Sequence, residues 1–151
     1  MEFDLTLLRK TGKTETDFAE KLPLPEDLTD LNGFRIAEDP AVNGHLSVLS
    51  DGCYVTCTVT YQLVGPCARC LSETVQTFTC EVEEKFTPQK SEDSYSYSSN
   101  RLILDRAVCD AILTSLPLRL LCREDCKGLC PVCGANRNET DCGHEPEQEN
   151  E

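Results

Sequence analysis

From Cys53 to Leu63 apolar side chains occupy every second position, as Cys53, Val55, Cys57, Val59, Tyr61 and Leu63, with Tyr54, Thr56, Thr58, Thr60 and Gln62 between them. Successive side chains of an extended chain point to opposite sides of a sheet, so this pattern predicts a strand with one buried face. After the turn GPCARC a second alternation puts Phe78, Cys80, Val82 and Phe86 on one face, and Thr77, Thr79, Glu81, Glu83 and Lys85 mostly on the other. Two such runs joined by a short turn predict an antiparallel hairpin, extended by a strand at NGHLSVLS before it. Cys53, Cys57 and Cys80 fall on the apolar faces and are read as small buried side chains.

The rest of the chain is organised around that hairpin. Residues 1–40 carry short apolar groups such as Leu5, Leu7 and Leu8 and the Pro-marked KLPLPEDLTDLNG, read as short strands joined by turns, so that 1–86 forms a β-rich body. The Ser-rich TPQKSEDSYSYSSN has little to bury, which makes 87–100 a flexible polar loop. In 101–121 Val108, Cys109, Ile112, Leu113 and Leu116 recur at helical spacing, with Asp105 as the expected N-cap. Pro117 stops or kinks that helix, and a second short helical segment is expected to carry Leu118, Leu120 and Leu121 to Cys122. The fold class expected is α+β: an antiparallel sheet or partial barrel, one or two helices, and a small C-terminal cysteine-rich zinc knuckle.

No apolar run reaches the roughly 18 residues of a membrane helix, and MEFDLTLLRK lacks the basic flank and long apolar stretch of an export signal, so a cytoplasmic location is expected. In a reducing compartment clustered cysteines point to metal, and the odd total of 11 sits poorly with complete disulfide pairing. CREDCKGLCPVCG places four cysteines within 122–134. Cys122 and Cys126, one helical turn apart if the segment is helical, followed by the C-x-x-C of Cys130 and Cys133, suit a closed tetrahedral Zn2+ site, and these four are the expected ligands. Gly134 supplies the positive φ that lets backbone amides turn toward sulfur. Cys142 or His144 is the alternative for one of the first pair, and an iron–sulfur cluster ranks second to zinc. Cys67 and Cys70 are open between a thiol pair tuned by Arg69, half of a zinc site lacking a second pair nearby, and a turn pinned by small side chains.

The formal net charge is −13, which repels polyanions unless the charge is unevenly spread. It is uneven: the segment from Asn138 holds six acidic residues and no Lys or Arg, and 145–151 is an acidic tail. Between Arg119 and Arg137, by contrast, Arg119, Arg123, Lys127 and Arg137 face only Glu124 and Asp125. These four bases are the candidate nucleic-acid contacts, although charges of this kind are more often simply solvated.

The combination of PCARCL in a hairpin with LPLRLLCREDCKGLCPVCGANRN resembles the family of large ribosomal RNA subunit accumulation proteins, YceD-like, over about Cys67 to Cys142. By motif, Cys67, Arg69 and Cys70 match its early C-x-R-C-L element, and Cys122, Cys126, Cys130 and Cys133 its C-terminal cysteines. The resemblance implies a non-enzymatic role in accumulation or processing of large-subunit (23S) ribosomal RNA, with the rRNA precursor or a basic large-subunit ribosomal protein as partner. Two departures stand out: Cys142-Gly143-His144 replaces a common C-x-C, and an Asp-Pro-Arg segment common in the family is not seen after Glu145. Two other classes compete, a zinc-ribbon adaptor in transcription or translation and a C-x-x-C thiol oxidoreductase resting on Cys67 and Cys70. A hydrolase is disfavoured: only His45 and His144 are present, neither in a nucleophile motif, and zinc held by four thiolates leaves no place for water.

Overall fold

The computed structural model describes residues 1–145 except Thr29 and Asn32; the predicted acidic tail, apart from Glu145, lies outside the described residues. Its backbone is the long hairpin anticipated from the alternation, β6 (Cys53–Pro66) and β7 (Glu73–Thr87), paired without interruption from Cys53↔Phe86 to Pro66↔Glu73. On the other edge of β6 lie β5 (Ala41–Val48) and, farther along, β4 (Phe34–Ile36), both antiparallel. β2 (Glu15–Lys21) extends the sheet beyond β5, and β3 (Asp30–Leu31) extends it beyond β4. The fold is thus α+β with a mostly antiparallel sheet, as expected.

One face of this sheet is dry. Val55, Val59, Tyr61 and Leu63 from β6, Val42 and Leu46 from β5, and Val82 and Phe86 from β7 are buried against Ala107, Val108 and Ile112 of helix α2 (Asp105–Ser115). Each fully buried Leu, Val or Phe contributes about 1.5–3 kcal/mol, so this layer fixes the register of the hairpin. The Tyr61 hydroxyl lies 2.8 Å from Ser115 Oγ, tying sheet to helix. The expected buried thiols are in place: Cys53 and Cys57 are buried and Cys80 is half-buried in the same core.

Several local expectations are corrected. Residues 5–10 form helix α1 (Leu5–Lys10) instead of a strand, started by Asp4, whose carboxylate accepts from the Thr6 and Leu7 amides, and preceded by β1 (Glu2–Asp4). β1 pairs with β9 (Arg101–Ile103), so the region read as wholly helical opens with a strand. Asp105 does not cap α2: its carboxylate is taken by the Met1 ammonium, and the N-cap position falls to Leu104 without a side-chain bond. The polar segment before β9 is not all loop, because β8 (Tyr95–Ser96) pairs in parallel with the end of β7 and Tyr97 is buried. The second short helix expected to carry Leu118, Leu120 and Leu121 to Cys122 does not form: that stretch is non-helical, and Leu120 makes a parallel bridge with Cys67. No helix among the described residues is long and apolar enough to cross a membrane.

Candidate metal centres

The tip of the β6–β7 hairpin is residues 67–72. Its closure is local: the Cys67 amide donates to Ser72 O at 2.8 Å and the Leu71 amide to Cys67 O at 3.0 Å, with Leu71 at φ 63°. The turn curls so that the amides of Cys70 and Arg69 point at the Cys67 sulfur, as the first cysteine of a metal-binding C-x-x-C requires.

The chain leaving α2 is led to this tip. Leu116 is extended at ψ 133°, Leu120 is wholly buried, and the Ala68 amide donates to Leu120 O at 2.8 Å. Gln76 Nε2 donates to Leu121 O, and Arg69 Nη1 reaches Glu124 O at 3.2 Å and Cys126 O at 3.0 Å. Cys122 Sγ then lies 3.7 Å from Cys70 Sγ, and Cys126 Sγ lies 3.7 Å from Cys67 Sγ. The four sulfurs sit within 4.8 Å of one another.

A second group follows at once. At Gly128, with φ +74°, a Cβ would lie 3.3 Å from Arg69 O; the glycine fits there and sends the chain into a small ribbon with a bridge between Leu129 and Asn136. Within it the Cys133 and Val132 amides point at the Cys130 sulfur, repeating the geometry at Cys67, and Gly134 at φ +73° closes the knuckle through its amide to Cys130 O. Cys142 and His144 complete the group: His144 Nδ1 lies 3.6 Å from Cys130 Sγ and 3.4 Å from Cys142 Sγ. Asn138 joins the two groups, donating from Nδ2 to Cys126 Sγ at 3.2 Å while its Oδ1 accepts the Lys127 amide.

These spacings fit zinc. Tetrahedral Zn–S bonds of about 2.3 Å put sulfurs about 3.8 Å apart, and a sulfur and an imidazole nitrogen about 3.6 Å apart. A disulfide would need about 2.05 Å, and all seven cysteines of the groups are unbridged. Electrostatics points the same way. Burial acts to raise the Cys67 thiol, but the surrounding amides outweigh it and bring it down to about 6. The Cys133 and Val132 amides lower Cys130 to about 6, and the Asn138 amide lowers Cys126. Cys122 is pushed up to about 12 by burial and by the sulfurs beside it. At Cys142 the His144 amide acts downward and is outweighed by the sulfurs of Cys130 and Cys133 together with burial, so that thiol is raised. Each group therefore favours some thiolates and resists the rest, and a divalent cation removes that conflict. The core cysteines lack such amides, and all three are raised by burial, Cys57 up to about 11.

The four cysteines expected to share one ion, Cys122, Cys126, Cys130 and Cys133, are divided between the two groups: Cys122 and Cys126 stand with Cys67 and Cys70, and Cys130 and Cys133 with Cys142 and His144. Cys122 and Cys126 are not on a helix, so the expected one-turn spacing is replaced by a turn that delivers them to different cysteines of the tip. The second pair for Cys67 and Cys70 is invisible locally because it lies 52 and 59 residues away. Around the groups, Arg119, Arg123 and Lys127 are exposed. Arg123 lies 3.7 Å from Asp125, while half-buried Arg137 donates to His144 O at 2.6 Å.

Residues 55–151 match the family described as Large ribosomal RNA subunit accumulation protein YceD. Uncharacterized proteins of Mycobacterium tuberculosis and Mycobacterium bovis are each 35% identical to the chain over 108 residues, 66% of this chain and 52% of theirs. An uncharacterized protein of Mycobacterium leprae is 30% identical over 96 residues, 58% of this chain and 44% of its own length. The chain thus spans about half the length of the curated relatives it matches. No solved structure matches it. The family match takes in the hairpin, its tip, α2 and both cysteine groups, and on that ground the chain belongs to the YceD family of large ribosomal RNA subunit accumulation proteins.

Proposed function

We propose that this protein is a non-enzymatic ribosome biogenesis factor that supports accumulation or processing of large-subunit (23S) ribosomal RNA in the cytoplasm, with zinc holding its C-terminal lobe in shape. The observation that carries the reading is the group of Cys67, Cys70, Cys122 and Cys126, which joins the hairpin tip to the segment bearing Arg119, Arg123 and Lys127. Four protein ligands fill a tetrahedral zinc and leave no position for water or substrate, so the ion's part is structural. Cys130, Cys133, Cys142 and His144 would hold a second ion in the same manner. The precursor RNA would meet the exposed bases of this lobe, where phosphate contacts supply salt-dependent affinity that the acidic body cannot.

The test is sedimentation of a cell extract before and after chelation. The protein is expected on immature large subunits and to leave them when zinc is stripped. Its appearance mainly with unrelated, non-ribosomal complexes would overturn the proposal. Stable residence on mature ribosomes or on polymerase would favour a zinc-ribbon adaptor, the reading that the two knuckles also suit. Elemental analysis of the purified chain separates zinc from iron.

A further inference from the structure

The long hairpin leaves one of its edges open. Thr87 accepts the Tyr97 amide at 3.0 Å on the side away from β6, so its backbone polar groups face outward. Backbone polar groups alternate sides along a strand, and the β6–β7 register is unbroken, so Thr77, Thr79, Glu81 and Glu83 also direct their N–H and C=O groups outward. Among the described residues no backbone or side-chain group bonds to them there; β8 covers only Phe86 and Thr87. An edge of this length is a ready template for another strand.

Its charge selects the occupant. From Glu73 to Glu84 the strand carries Glu73, Glu81, Glu83 and Glu84 and no basic residue. Glu73 lies 3.5 Å from Arg35, and the next base along, Lys85, is 2.7 Å from Asp51, which leaves Glu81, Glu83 and Glu84 without a cation partner among the described residues. Thr77, Thr79, Glu81 and Glu83 are all exposed. Nucleic acid is repelled by such an edge, and a second copy of the same strand would set like charges against each other.

We propose that the outer edge of β7, over Thr77 to Glu83, takes an extended Lys/Arg-rich segment of a partner protein as an added β-strand. Main-chain bonds from the four outward-facing residues hold the segment, and its alternate basic side chains lie over Glu81 and Glu83. The inference stands on the sheet and its charge and does not depend on the ribosomal reading.

The test uses the full chain, zinc-loaded and isotopically labelled, with a synthetic peptide alternating lysine and valine, and a glutamate–valine peptide as control. Expected on adding the basic peptide is slowed hydrogen exchange at the Thr77, Thr79, Glu81 and Glu83 amides, with binding weakened at least about tenfold in high salt. Thr79→Pro removes an outward amide and should abolish binding while leaving the bonds to β6 in place. Should that variant fail to fold, the double variant Glu81→Lys, Glu83→Lys keeps the backbone intact and should switch preference to the acidic peptide. The proposal is overturned if the basic peptide does not bind, if it protects amides elsewhere, if both peptides bind the parent chain equally, if folded Thr79→Pro binds undiminished, or if the edge is occupied by a second copy of this chain. A failed sedimentation experiment with successful peptide binding would remove the ribosomal reading and leave the docking edge standing.

Discussion

With Cys67→Ala the group at the hairpin tip loses its wholly buried thiol, while the group containing His144 is untouched. Bound zinc is expected to fall from two ions per chain to one; Cys142→Ala removes the other, and the double variant holds none. Without the ion, residues 117–126 are held by bonds from Ala68 N–H, Gln76 Nε2 and Arg69 Nη1, the last reaching two carbonyls, and by buried Leu120. Four hydrogen bonds at about 1 kcal/mol each and one leucine at about 2 kcal/mol give about 6 kcal/mol. Ordering the segment costs about 10 kcal/mol at about 1 kcal/mol per residue, so the arm falls short by about 4 kcal/mol. That corresponds to an open form favoured by about a thousandfold. Metal content by elemental analysis and amide exchange at Ala68 read both effects. Ala68 should lose its protection in Cys67→Ala, whereas Val59, in the middle of the hairpin, keeps its own. Retention of two ions per chain, or unchanged protection at Ala68, would refute the division of the ligands and the argument that the ion holds the arm.

Other outcomes follow from the body. Tyr61→Phe removes the bond to Ser115 and should cost about 1 kcal/mol in denaturant unfolding. Gly44→Ala would place a Cβ 2.3 Å from Cys57 Cβ and 2.4 Å from Thr56 O on the neighbouring strand, and should destabilise by about 3 kcal/mol because backbone cannot yield. Burial, followed by the hydrogen bond to Asp110, raises the Tyr95 hydroxyl from 10.0 to about 12, so its protonated form is favoured in the folded chain. Stability from this group is complete below pH 10.0 and declines as pH rises toward about 12, and the difference in melting temperature between the parent and Tyr95→Phe should vary only in that window.

The strands most visible in the sequence are those whose burial alternates. β6 shows it without a break over Cys53–Leu63, because one face meets the core and the other meets water. α1 leaves no periodic pattern because a helix of one and a half turns buries only Leu5; its signal is Asp4 before the apolar group, with Arg9 and Lys10 at the end. The stripe on α2 is legible, yet its centre is rotated toward Ala107 and Val108, leaving Leu113 41% exposed. At the metal centres the sequence displays the ligand types and conceals their partition. Closeness along the chain suggests one shared ion, whereas the hairpin tip competes for Cys122 and Cys126 across the whole of β7 and α2, a choice that tertiary structure makes.

The group at the hairpin tip draws its two halves from distant parts of the chain, with Cys126 following Cys67 by 59 residues. On a ribosome adding about 5–20 residues per second, the first knuckle waits about 3–12 seconds for its counterpart to be made. During that interval the nascent hairpin can close, since its pairing is local, but its tip displays two thiols with half a coordination shell. Oxidation in that window would block the later docking of the arm, so, on the proposal that this group holds a metal ion, the order of synthesis makes the supply of reductant and of that metal a condition of correct maturation.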